Sequence, residues 1–227
     1  IHIWYKEMSE QEFTQLSFTD FNKLSHTIES LTNGVFYHFK MAYENDYGLD
    51  THTAWSSLSS FSPYGKPAPP TLLEIKNITE TSMVAKYTKT QDLNGMDSEG
   101  HWVKVYSPNG VLVKQYYGGH ESNEILISGL TKGQDYIVNV IAEGKRIIQH
   151  PSYVKFPSDP SNSLTKRPFG PASPVLNLKA TAFAIGQEDL INTTIGGKLL
   201  IQHTPPLDNG GFEIHRYKVT LSNEGNY

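Results

Sequence analysis

Leu31-Thr-Asn-Gly-Val-Phe-Tyr-His-Phe-Lys-Met41 reads as a turn that opens a strand. Asn33-Gly34 supplies the turn, because glycine accepts a positive φ at no steric cost. Tyr37, Phe39 and Met41 then alternate with period two, so one face of the strand enters a core. The pattern returns without a gap 99 residues later, counting from Ile28 to Ile127. Leu31 falls on Leu130, Thr32 on Thr131, Gly34 on Gly133 and Tyr37 on Tyr136. Phe39 and Met41 give way to Val138 and Val140, and Asn33 to Lys132. What persists is a leucine, a turn glycine and a tyrosine, which a turn into a buried strand needs. A tyrosine so placed packs its ring and satisfies its hydroxyl on nearby backbone. The stretch is therefore a structural unit used twice, not a chemical site.

The connections repeat too. Pro67-Ala-Pro-Pro70 and Pro171-Ala-Ser-Pro174 lie 104 residues apart, each after an aromatic-glycine pair, Tyr64-Gly65 or Phe169-Gly170. Proline lacks a ladder donor and stiffens the chain, so these stretches suit domain junctions. A period of about one hundred residues is too long for a solenoid repeat and right for one β-sandwich.

Composition agrees. Of 227 residues, 37% are hydrophobic, 11% aromatic and 19% charged. Mean hydropathy is −0.42. Those values fit a globular chain rather than a disordered one, and the aromatic content favours strands. The net charge of −4 gives no basis for binding nucleic acid through its phosphates. No cysteine is present, which excludes disulfides, cysteine-ligated zinc and thiol nucleophiles. No apolar run approaches the roughly 18 residues that span a bilayer. Ile1–Tyr5 and Tyr217–Leu221 both look like strands, so the chain is expected to be an excerpt of a longer polypeptide.

On these residues the sequence resembles the fibronectin type III family. The matching motifs are Leu31-Thr-Asn-Gly-x-x-Tyr37 with Asn45 and Gly48, Leu130-Thr-Lys-Gly-x-x-Tyr136, and Ile201-Gln-His-Thr-Pro-Pro-Leu-Asp-Asn-Gly-Gly-Phe-Glu-Ile-His-Arg-Tyr217. The resemblance implies an all-β chain of tandem immunoglobulin-like β-sandwiches, one complete and two partial. Residues 1–66 would be the later part of a first domain, 67–170 a complete second domain and 171–227 the early part of a third. Strands are expected at Thr71–Ile75, Ser82–Tyr87, Trp102–Tyr106, Val111–Gln115, Glu124–Ile127, Tyr136–Glu143 and, last, Ser152–Phe156. The missing halves are expected in further sequence, since half a sandwich leaves its inner face and edges open. Three departures stand out. The family's strand-B tryptophan corresponds to Tyr87 and His203. The loop Thr90–Gly100 is longer than its third-unit counterpart. The second unit has Glu143-Gly-Lys-Arg146 in place of an Asn-x-x-Gly ending.

No hydrolase elbow, phosphate loop, dinucleotide fingerprint or His-Glu-x-x-His motif is present. His203 and His215 fall on neighbouring strands, but without a third ligand ordinary packing is the simpler reading. His38 should face solvent, opposite Tyr37 and Phe39. Asp92-x-Asn94-Gly-x-Asp97-Ser-Glu99 is rich in oxygen, yet its spacing misses the EF-hand loop. With Tyr116 and Tyr117, in a stretch Tyr116–His120 read as a turn, Asp92, Asn94, Asp97 and Glu99 form the candidate partner-binding loop. Trp55-Ser-Ser-Leu-Ser-Ser60 is similar to the Trp-Ser box of cytokine receptors but lacks its second tryptophan. It reads as a final strand with Trp55 packing. Asn77-Ile-Thr79 and Asn192-Thr-Thr194 are glycan acceptors if the chain is secreted. No catalytic residue, metal or cofactor is expected, and no nucleic-acid, membrane-inserted or small-molecule partner.

The expected function is non-catalytic: a structural or protein-interaction segment whose partners are protein subunits of a larger assembly. The leading setting is a virion, as a minor capsid or surface protein of a large DNA virus, to which cysteine-free arrays of this kind look similar. The alternatives are an extracellular adhesion or receptor segment and a spacer in a carbohydrate-active enzyme.

Overall fold

The computed structural model describes residues 1–20, 22–45, 55–149, 152–183 and 198–220. These residues hold fourteen β-strands and no helix. The middle of the chain forms two facing antiparallel sheets. One contains β5 (Thr71–Lys76), β6 (Met83–Thr88) and β9 (Glu124–Ile127), in the order β5-β6-β9. The other contains β7 (Asp97–Tyr106), β8 (Leu112–Gly119), β10 (Tyr136–Gln149) and β11 (Ser152–Pro157), in the order β11-β10-β7-β8, with β12 (Leu164–Lys166) also on β10. Alternation along each strand sends one row inward. Met83, Val103, Val105, Ile127, Val138 and Val140 are fully buried between the sheets, with Leu72, Tyr87, Leu130 and Tyr136 around them. Each such side chain stabilises the fold by about 1.5–3 kcal/mol relative to exposure.

The flanking regions each show one sheet. Before the middle sandwich, β1 (His2–Glu7), β2 (Thr14–Ser17), β3 (Tyr37–Ala42) and β4 (Ser59–Phe61) pair in the order β2-β1-β3-β4. Tyr37 is buried there, whereas Phe39 and Met41 are only half-buried. On the opposite face Trp4 meets Trp55 edge-on with ring centroids 4.4 Å apart. Lys40 Nζ lies 4.5 Å from the Trp55 ring and 4.6 Å from that of Phe13. Trp55 thus packs as expected, but the strand beyond it is only Ser59–Phe61. His38 is half-buried, its ring nitrogen 2.8 Å from Ser60 Oγ. After the middle sandwich, β13 (Leu176–Phe183) pairs with β14 (Lys198–Thr204).

Several expectations need correction. Tyr116–Gly119 is strand, not turn: Tyr116 sits opposite Val103 and Tyr117 opposite Trp102. Gly118 permits this, because a Cβ there would lie 2.5 Å from both Ile125 Cδ1 and Tyr87 Oη. The strand expected as last, near Ser152–Phe156, is followed by β12 on the same edge of β10. β10 is 14 residues long, enough for two short partners in succession. Between them Ser158 and Ser161 continue the ladder. Their amides donate to Ala142 and Val140 oxygens at 2.8 Å, and their hydroxyls accept from the Ala142 and Val140 amides at 2.9 Å. Tyr217–Thr220 forms no strand, having no ladder partner among the described residues; Leu221 lies outside them. Gly48 and the acceptor Asn192 also lie outside the described residues.

Candidate functional site: two joints built alike

The repeated turn begins with its tyrosine. Tyr37 Oη accepts from the Thr32 amide at 3.0 Å, and Tyr136 Oη from the Thr131 amide at 3.0 Å. With the corner held, the turn glycine reaches the following connection. Gly34 N donates to Pro63 O at 2.8 Å, and Gly133 N to Pro168 O at 2.9 Å. Each connection then bonds to the first long loop of the next unit. Gly65 N donates to Asn94 O and Ala68 N to Asp92 O, both at 2.9 Å. Gly170 N donates to Gly210 O at 3.0 Å and Ser173 N to Asp208 O at 2.9 Å. Both loops are shaped by an aspartate: Asp92 Oδ1 accepts from Asn94 N at 2.7 Å, and Asp208 Oδ1 from Gly210 N at 2.8 Å. Corner, connection and loop are thus joined twice by the same backbone hydrogen bonds. These bonds set Ala68 opposite Ser173, 105 residues apart, one residue off the offset the prolines suggest.

The loops approach the preceding corner closely. A Cβ on Gly95, whose φ is +80°, would sit 2.5 Å from Gly34 N and 2.7 Å from Pro63 O. At Gly211, the corresponding position, the nearest atom is Pro168 O at 3.1 Å. Both glycine carbonyls also receive an arginine. Arg146 Nη1 donates to Gly95 O at 3.0 Å and Nη2 to Ser62 Oγ at 2.5 Å. Arg167 Nη1 donates to Gly211 O at 3.3 Å, while its Nε and Nη2 grip both carboxylate oxygens of Asp135 at 2.9 and 2.8 Å. Such a two-pronged pair is strong and directional. It holds Asp135 below the usual carboxylate range.

The side chains across the joints differ. In the first, Asn33 Nδ2 donates to Asn94 Oδ1 at 2.8 Å, and Asn94 Nδ2 to Lys66 O at 2.9 Å. In the second, Lys132, standing where Asn33 stands, pairs with Asp208 at 2.6 Å and Glu80 at 2.9 Å. Its hydrogen bond to Asp208, then that to Glu80, raises the lysine pKa; the Lys132 hydrogen bond lowers that of Asp208.

The candidate loop residues separate into three places. Asp92 and Asn94 build the first joint. Asp97, Glu99 and Tyr117 lie on or beside the outer face of the β7–β8–β10 sheet. There Tyr117 stacks on Trp102 with centroids 5.0 Å apart, and its hydroxyl donates to Glu99 O. Glu99 pairs with Lys155 at 2.9 Å and Lys145 at 3.8 Å; the Lys155 hydrogen bond is the main cause holding its pKa down. Tyr116 points the other way, against the core, and exchanges hydrogen bonds with the Ser128 backbone at 2.7 and 3.1 Å. His203 stacks on Tyr217 at 4.3 Å, and His215 is exposed. No group of three or more His, Asp or Glu side chains converges among the described residues.

Sequence reasoning missed Arg146, Lys132, Asp208 and Arg167 as joint residues. Arg146 has a legible signal. It lies in Glu143-Gly-Lys-Arg146, where the sequence departs from the family pattern, and that departure is the extension of β10 beyond the sandwich toward the preceding unit.

Strand order and the repeated tyrosine corner define the class: the chain is a tandem of fibronectin type III-like β-sandwiches. No family model matches the sequence. Human cardiac-type myosin-binding protein C is 25% identical over 139 residues, a match covering 60% of this chain and 11% of that protein. The chain therefore spans about a ninth of the length of that curated relative. Among solved structures, the FN1–FN3 domains of chicken CNTN1 align over 74% of this chain and 54% of theirs, at 14% identity and a TM-score of 0.41. A structure described as a myokine aligns over 45% of this chain and 99% of its own, at 16% identity and a TM-score of 0.33.

Proposed function

We propose that this chain is a non-catalytic, stiff protein-interaction segment, divided at 1–66, 67–170 and 171–227. Its task is to hold β-sandwiches in fixed order and orientation, so that their outer faces meet protein partners at set spacing. One observation carries the reading: the same set of backbone hydrogen bonds joins corner, connection and next loop at both junctions. Independent beads on a flexible linker would have no cause to share it, since linkers without such contacts leave domains free to move.

The absence of cysteine makes the test direct. Two introduced cysteines, at exposed Gln11 and Asn109, are spin-labelled and their separation measured by pulsed electron paramagnetic resonance. A single narrow distance distribution is expected; a broad one would overturn the reading.

Two settings suit such a rod: a large protein assembly, a virion among them, and the exterior of a cell. The exposed Asn77, at φ 50° in a turn ahead of Thr79, is the observation favouring the second. Mass spectrometry of the native protein separates them. Glycan on Asn77 assigns the cell exterior, and recovery of unmodified chain from purified particles assigns the assembly.

A further inference from the structure

His101 lies beneath the first joint and takes no part in the contacts that define it. Its side chain is 2% exposed. It projects from β7 between the sheets, its ring centroid 5.3 Å from that of Tyr87 on β6. Nε2 accepts a hydrogen bond from the Thr90 amide at 3.3 Å, so in the neutral ring the proton sits on Nδ1. Nδ1 is buried and has no hydrogen-bond partner. The Gly119 backbone is the one neighbour that favours a proton on the ring, through a hydrogen-bonding contact too poor in geometry to count as a partner for Nδ1. Thr90 in turn holds the joint loop. Its hydroxyl donates to Ala68 O at 2.7 Å and lies 3.3 Å from Asp92 O, within the segment that bonds to the connection.

We propose that His101 is an acid-operated latch: taking up a second proton converts its Nε2 from acceptor to donor, expels the Thr90 amide and loosens the loop that clasps the first joint. The deepened function rests on reading that joint as a fixed one. The proton arrives at Nε2 from solvent, and no bond other than the Thr90 hydrogen bond is broken. Two N–H groups then face each other in a buried site, an arrangement that costs the full desolvation of both. The surrounding charges add to this. Lys89, continuing from β6, and His120, at the end of β8, both repel a cation at His101. Lys89 is itself paired with exposed Glu121 at 3.2 Å. Tyr87 offers no charge, because burial pushes its hydroxyl pKa up and its proton goes to Ser122 O. Asp92 directs its carboxylate to Asn94 N within its own loop. Burial, first, and then repulsion from Lys89 and His120 hold the His101 pKa below its ordinary value. The sign follows: the unfolded or opened chain binds the proton more readily, so the latch weakens as pH falls below about 6.5 and goes on weakening down to the lowered folded value. The second joint also has a histidine beside its loop, His203, which packs on Tyr217 with a buried, unpartnered Nδ1. Among the described residues no loop amide donates to its ring as Thr90 does to His101, so release of that kind has no counterpart there.

Amide exchange read by NMR, expressed as protection factors, tests this at both joints. At pH 7.5 the Gly65 and Gly170 amides should both be protected; an unprotected Gly65 there would sink the fixed-joint reading itself. Between pH 7.5 and 5.0, Gly65 should lose about tenfold or more in protection while Gly170 changes less than about threefold. Equal behaviour of the two, or no loss at Gly65, overturns the latch and leaves the joint standing. In His101→Gln, whose amide still accepts from Thr90 but does not titrate, the step should vanish. Should that variant fail to fold, the imidazole titration of the unaltered protein decides. A ring midpoint coinciding with the loss at Gly65 supports the latch, and a ring titrating at its ordinary value with Gly65 unmoved overturns it.

Discussion

The two joints share a backbone and differ in chemistry. At the first, two asparagine side chains meet, and a glycine of the second unit presses against a glycine of the first. At the second, Lys132 stands in place of Asn33 and lies between two carboxylates, with looser contact at the glycine. The shared part is made of groups every residue has, so it survives extensive substitution. The variable part sets how each joint answers to salt, pH and crowding of a side chain. A rod assembled this way can have uniform geometry and unequal responses.

The comparison is easiest to break at the glycines. Gly95→Ala forces a Cβ to within 2.5 Å of Gly34 N at a φ that L-residues disfavour. A positive φ alone costs about 1–2 kcal/mol, and backbone on both sides leaves little room to relax. The first joint should open, seen as a broadened Gln11–Asn109 distance distribution. Gly211→Ala, with its nearest contact at 3.1 Å, should disturb the second joint less. Equal effects would show that the difference in contact is immaterial.

Arg146→Ala should come next. It strips the donor from Gly95 O and from Ser62, which is fully buried. Leaving buried groups unpaired costs about 1–3 kcal/mol. Denaturant unfolding should show the first sheet released before the middle sandwich. Arg167→Ala removes a half-exposed pair with Asp135, so a smaller loss than at Arg146 is expected. Tyr136→Phe and Tyr37→Phe each delete the corner hydrogen bond, about 0.5–1.5 kcal/mol by thermal or chemical unfolding. Tyr37→Phe should cost as much or slightly more, because its hydroxyl also donates to Glu7 Oε1 at 3.4 Å.

The smallest effect should separate the joints most cleanly. Raising salt to about 1 M screens exposed ion pairs. It should weaken protection of the Gly170 amide, beside the Lys132 pairs, more than that of Gly65, beside which the exposed Lys66–Asp159 pair lies. The pH signs are opposite for the two partners. Asp208 has a lowered pKa, so its contribution is complete above the ordinary carboxylate value and is lost as pH falls through the lowered one. Lys132 has a raised pKa, so its contribution is complete below the ordinary amine value and is lost as pH rises through the raised one. Between those limits the Lys132–Asp208 pair should be indifferent to pH. Lys132→Met should abolish the salt response.

Much of the fold was legible because periodicity reports burial. Tyr136, Val138 and Val140 alternate, and all three are core. The turn glycines and connecting prolines were legible because few residues tolerate those backbone angles. The joints were not. Lys132 and Asp208 are 76 residues apart and both at the surface, so no local pattern links them. Arg146 sits on a strand extension whose sequence departs from the family pattern, and only the fold shows that the departure points at the neighbouring unit. The oxygen-rich loop was singled out as a partner-binding loop. Its Asp92 accepts from the Asn94 backbone amide, and the Asn94 side chain joins the Asn33 side chain to the Lys66 carbonyl, uses that a list of oxygens does not distinguish from binding.

The paired serines that bond to β10 have a consequence for neighbours of like fold. Tandem sandwiches are tethered at high local concentration, and an open strand edge invites pairing with the wrong domain during folding. Pro157 and Pro160 bring no amide to that edge, and Ser158 and Ser161 fill the adjacent donor and acceptor positions. In the first sheet Ser56 does the same for Met41, accepting from its amide at 3.0 Å and donating its own to Met41 O at 2.9 Å. In the first two units one stretch of open ladder is thereby closed, which removes one place where similar neighbours could exchange strands.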